Sequence, residues 1–121
     1  MEWNIRDDLP IYSQLIAQME FAIACGHFAP GDRLPSVRDM AAEAGVNPNT
    51  MQRALQELER KGLVYAQRTS GRFITEDTKL IDSVRRSLAD ERIRMFLGSM
   101  EKLGYTKAEI LELVSGKKEE L

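Results

Sequence analysis

The spacing of apolar positions divides the chain into a series of helices interrupted by one hairpin. Ile11, Leu15, Met19, Ala22 and Ile23 share one helical stripe, which predicts an amphipathic helix starting near Pro10, running to about Cys25 and stopped by Gly26. Val37, Met40 and Ala41 form a shorter stripe. Ser36 precedes it as an N-cap, Asp39 follows three residues on, and Gly45 closes it where a left-handed backbone costs little. Met51, Ala54, Leu55 and Leu58 fall at i, i+3, i+4, i+7, so a third helix buries one face; Asn47 caps it, Pro48 opens it and Gly62 ends it. The pattern then changes. Leu63-Val64-Tyr65-Ala66-Gln67 and Arg72-Phe73-Ile74-Thr75 are β-prone runs around the turn Arg68-Thr69-Ser70-Gly71, a hairpin against which Leu34 is expected to pair as a short strand.

Beyond the hairpin, Leu80, Ile81, Val84 and Leu88 make one stripe, and Ile93, Phe96, Leu97, Met100 and Leu103 continue it out of phase. The shift lies around Asp90-Glu91 and fits either a kinked helix or two helices. Gly104 ends this stretch, and Thr106-Lys107-Ala108-Glu109 is a capping box for a last helix carrying Ile110, Leu111, Leu113 and Val114, terminated at Gly116. Residues 117–121 read as a charged tail, and residues 1–5 as an arm with Trp3 and Ile5 turned back on the body. The tail carries more Leu, Ile, Phe and Met than two helices can bury alone, so pairing with a second copy is expected.

Two short helices joined by a tight turn form a helix-turn-helix, whose second helix can enter a DNA major groove. The exposed side of that second helix carries Asn49, Gln52, Arg53, Gln56 and Arg60, with Thr50 in its first turn and no acid before Glu57. Asn and Gln amides match adenine N6 and N7, and Arg matches guanine or phosphate. Arg68 and Arg72 flank the hairpin tip, placed for phosphate or the minor groove. Arg33, Ser36 and Arg38 surround a helix start whose free N–H groups suit a phosphate. The expected fold class is therefore mostly α with a small β-hairpin. A winged helix-turn-helix DNA-binding domain occupies residues 1–76, and a helical dimerisation tail occupies residues 77–121.

The net charge of −2 argues at first against a nucleic-acid partner. Its distribution changes the picture. Seven basic residues lie between Arg33 and Arg72, against Asp39, Glu43, Glu57 and Glu59, so an acidic body carries a locally positive face. The single cysteine, Cys25, excludes an internal disulfide and fits a reducing cytoplasm. Apolar runs are too short to span a membrane, and Glu2, Asp7 and Asp8 interrupt any leader. Cys25 and His27 are too few for a nucleophile pair or a multi-histidine metal site, and no glycine-rich phosphate loop occurs. No enzyme activity and no cofactor is expected.

The run FAPGDRLPSVRDMAAEAGVNPNTMQRALQELERKGLVYAQRTSGRFI resembles the N-terminal DNA-binding domain of the GntR family of bacterial transcription regulators, and DDLPIYSQLIAQME resembles that family's opening helix. The short tail points to its YtrA subfamily. The resemblance implies DNA contact by the residues matching Arg38, Asn47, Asn49, Thr50 and Gly71. To these the residue pattern adds Arg33, Ser36, Gln52, Arg53, Arg68, Ser70 and Arg72. Several family members carry arginines where this chain has Pro48 and Gln52, so their operator sequences do not transfer. The resemblance further implies a dimerising tail (Leu80, Ile81, Val84, Leu88, Ile93, Phe96, Leu97, Met100, Leu103, Ile110, Leu111, Val114) and control of an ABC-transporter operon. The expected partners are a double-stranded, palindromic DNA operator and a second copy of the chain, with repression by occupying a promoter. A small-molecule effector in an apolar crevice beside the tail is a further expectation. Two alternatives remain open from the residues: a winged-helix module for docking another protein, and a DNA binder without sequence preference.

Overall fold

The computed structural model describes residues 1–120; Leu121, the end of the expected tail, lies outside them. The element order is α1 (Ile11–Ala24), α2 (Val37–Ala44), α3 (Pro48–Arg60), β1 (Val64–Gln67), β2 (Gly71–Ile74), α4 (Thr78–Lys102) and α5 (Lys107–Gly116), with a 3-10 turn at Lys118–Glu120. The chain divides into two compact units that meet between Arg85 and Arg86.

In the first unit, each helix buries the stripe its sequence carries. Leu15, Met19 and Ile23 of α1 meet Met40 and Ala41 of α2 and Met51, Ala54, Leu55 and Leu58 of α3 in one core. Leu34, Leu63, Val64 and Ile74 close that core from the hairpin side, and Ile81 from the first turns of α4. Full burial of a leucine or isoleucine contributes about 1.5–3 kcal/mol, so these side chains carry much of the unit's stability.

The caps set the helix directions. Ser36 Oγ accepts from the Asp39 N–H at 3.1 Å, and Asn47 Oδ1 accepts from the Asn49 N–H at 2.8 Å. Between α2 and α3 the chain turns at Gly45, whose φ of 71° is open to glycine and strained for other residues. β1 and β2 pair antiparallel in the register Val64↔Ile74, Tyr65↔Phe73, Ala66↔Arg72, Gln67↔Gly71. The expected third pairing is present as a bridge: Arg33 lies opposite Phe73, and the Leu34 N–H donates to the Arg72 carbonyl at 2.8 Å.

The N-terminal arm is held by two glutamines one helical turn apart on α1. Gln18 and Gln14 each accept from a backbone N–H of the arm and donate to a carbonyl, at Asn4 and Arg6 respectively, as a neighbouring strand would. Trp3 and Ile5 then pack on the core.

α4 is one helix, which resolves the alternative left by its phase shift. Ile81, expected on the dimerisation stripe, is buried in the first unit's core, with Leu80 and Val84 packed against it. Arg85 Nε donates to the Ala24 carbonyl at 2.9 Å and ties this start of α4 to the end of α1. In the second unit, Thr106 and Glu109 form the expected capping box at the head of α5. Ile110 is buried, while Leu103, Leu111 and Met95 are 72%, 69% and 67% exposed. Ile93, Phe96, Leu113 and Val114 are exposed as well. Leu88, Leu97 and Met100 are half-buried.

Candidate nucleic-acid interface

The first two turns of α3 organise the interface. The buried stripe Met51–Ala54–Leu55–Leu58 fixes the helix's rotation, which leaves Asn47, Asn49, Arg53 and Gln56 exposed and Thr50 and Gln52 half-buried. Pro48 at the first helical position costs no hydrogen bond and directs the chain into the helix. This end of α3 presents amides, a hydroxyl and a guanidinium, groups that pair with base edges and phosphates.

Three of the four acids between Arg33 and Arg72 are paired, and Asp39, in the first turn of α2, is exposed. Glu57 accepts two hydrogen bonds from Arg60 within α3. That contact holds the Glu57 carboxyl below its ordinary pKa and raises Arg60, so both stay charged and occupied with each other. Glu59 binds Arg72, and Glu43 of α2 binds the amino group of Met1. The polar end of α3 is therefore free of competing anions among its own acids.

The basic residues separate by what they touch. Arg38 and Arg68 are exposed and form no hydrogen bond or ion pair among the described residues. Arg53 lies with its guanidinium carbon 5.0 Å from the centre of the Tyr12 ring on α1, a cation–π contact that steadies it. Arg33, expected beside Ser36 and Arg38, also lies against the wing. Its guanidinium passes 3.5 Å from the point where a Cβ on Gly71 would lie, and Gly71 has a φ of 99°. The bridge to Phe73 holds Arg33 against β2.

Arg72, expected at the wing tip as a phosphate ligand, is turned inward. Its Nε donates to Glu59 at 2.5 Å and its Nη1 to Gln52 Oε1 at 3.3 Å, and its side chain is 18% exposed. Residues 52 and 59 lie far from 72 along the chain, so no spacing in the sequence signals the contact; opposite charges on two neighbouring elements were the only available hint. Tyr12 beneath Arg53 was missed for the same reason. Ser70 sits half-buried in the turn beside exposed Arg68, its N–H donating to the Gln67 carbonyl at 3.2 Å. The interface thus brings together the start of α2, the start of α3 and the hairpin tip.

Residues 11–74 match the model of a family described as bacterial regulatory proteins, gntR family. The uncharacterized HTH-type transcriptional regulator YhcF of Bacillus subtilis (strain 168) is 40% identical over 112 residues, covering 93% of this chain and 93% of that protein. The HTH-type transcriptional repressor YtrA of the same organism is 45% identical over 74 residues, covering 61% of this chain and 57% of its own length. Among solved structures, a GntR family transcriptional regulator from Listeria monocytogenes has a TM-score of 0.83 at 36% identity, over 93% of this chain and 98% of that one.

Proposed function

The chain belongs to the gntR family of bacterial regulatory proteins, and we propose that within it this protein is a homodimeric repressor of a palindromic operator. Membership makes it a DNA-binding transcription regulator and not an enzyme. The observation that carries the finer reading is the split of α3: one face is wholly buried, and the other offers Asn49, Gln52 and Arg53 while the helix's own acids, Glu57 and Glu59, are paired with Arg60 and Arg72. In the complex α3 lies in the major groove, the start of α2 holds a phosphate through Ser36 and Arg38, and the hairpin tip reaches the neighbouring backbone or minor groove through Arg33, Arg68 and Gly71.

The second copy follows from the second unit. Ile93, Met95, Phe96, Leu103, Leu111, Leu113 and Val114 expose an apolar surface that water disfavours and that a copy of the same chain would cover. A two-fold dimer doubles the contacts and matches a palindrome. Repression then needs only occupancy of a promoter in the cytoplasm, and the relative named as a repressor supports this sense of control. The resemblance to the YtrA subfamily supports an ABC-transporter operon as the target.

Replacing Asn49 and Arg53 together by Ala tests the reading. Binding to a duplex selected by the wild-type chain is expected to fall at least a hundredfold, while the helical content and the dimer persist. Unchanged affinity for that duplex in the double variant would favour the protein-docking alternative. Equal affinity of the wild type for selected and random duplex would favour a binder without sequence preference.

A further inference from the structure

Arg72 joins the wing to the helix that faces the groove. One guanidinium donates both to Glu59 and to Gln52 Oε1, two residues of α3, from strand β2. A primary amide accepts at its oxygen and donates at its nitrogen, and arginine has donors only. Turning the Gln52 amide over would set its N–H groups against those of Arg72, donor against donor. The contact therefore fixes the amide's polarity. Gln52 Nε2 makes no hydrogen bond among the described residues, so its donors remain for an outside partner.

We propose that Arg72 is a positioning residue that makes Gln52 a donor-only reader of DNA, suited to a base edge of acceptors such as N7 and O6 of guanine. A glutamine free to use both ends would choose adenine, pairing with N6 and N7 together. Glu59 holds the guanidinium at Nε, so the brace stays in place. The inference rests on the reading of α3 as the groove-entering helix.

The test is selection of duplexes from a randomised library by the full-length chain. The base pair read by Gln52 is the one whose preference disappears in Gln52→Ala. Wild type is expected to favour guanine over adenine there by about tenfold. Arg72→Lys keeps the ion pair to Glu59 and cannot span both partners, because an ammonium lacks the planar fork. It is expected to keep the wild-type thermal midpoint and to swing the preference to adenine; Arg72→Met, which loses the ion pair as well, is expected to swing the preference the same way. If Arg72→Lys retains guanine, Arg72 only staples the wing and the proposal fails. A wild-type preference for adenine, or no preference lost in Gln52→Ala, overturns it as well. If wild type enriches no duplex at all, the DNA-reading function falls with it.

Discussion

The guanidinium groups around α3 differ in how committed they are to the protein itself. Arg38 has no partner among the described residues, whereas Arg60 is occupied by Glu57 and Arg72 by Glu59 and Gln52. Arg38→Ala is therefore expected to weaken binding evenly across sequences and lower the slope of log affinity against log salt by about 1, read by titration at several salt concentrations. Arg60→Ala should leave that slope unchanged. The residue types at the start of α3 were legible from the sequence because capping and stripe fixed which side faced out. The pairing of Arg72 was not, since it depends on how the hairpin lies on α3, and the contact of Arg33 with the wing was not, since it follows from a single bridge to Phe73.

The elements themselves were largely legible. Caps and stripes marked α1, α2, α3 and α5, and the hairpin followed from its β-prone runs and glycine turn. The phase shift in the long stretch was ambiguous for a physical reason. Leu80, Ile81 and Val84 face the first unit's core, and the apolar positions after Arg85 belong to the second unit, so the stripe changes direction without the helix breaking. Two measurements address the elements. Gly45→Ala must hold an alanine at a left-handed φ, costing about 1–2 kcal/mol, and should lower the thermal midpoint by several degrees while the α2–α3 turn survives. Leu55→Ala removes a fully buried side chain and should cost about 2–5 kcal/mol in chemical unfolding.

The capping box of α5 carries a pH dependence of known sign. The Thr106 backbone N–H and then its hydroxyl contact hold the Glu109 carboxyl below its ordinary pKa. A carboxylate depressed in the folded state stabilises above the unfolded value and loses that contribution as pH falls through the folded one. Amide exchange at the head of α5 is thus expected to quicken below the ordinary carboxylate range in wild type, and to show no such step in Glu109→Gln.

For the whole molecule, an acidic chain with a local basic face should bind random DNA weakly and depend on two copies for affinity. Changing Phe96 and Leu103, both exposed, to Glu is expected to yield a monomer by analytical ultracentrifugation, with the first unit's fold intact and operator affinity reduced about a hundredfold or more. The size of the tail's apolar load pointed to a second copy from the sequence; which of its side chains serve the chain's own packing did not show there, and Ile81 and Ile110 prove to be buried.

Operator recognition by this chain depends most on α3 meeting DNA with its polar end. The direct measurement is the amide NMR spectrum of the full-length chain titrated with its selected duplex. The expected shifts concentrate at Ser36–Arg38, Asn47–Gln56 and Arg68–Gly71, and leave the far end of α1 undisturbed. Shifts that spare α3 and gather on another surface would contradict it.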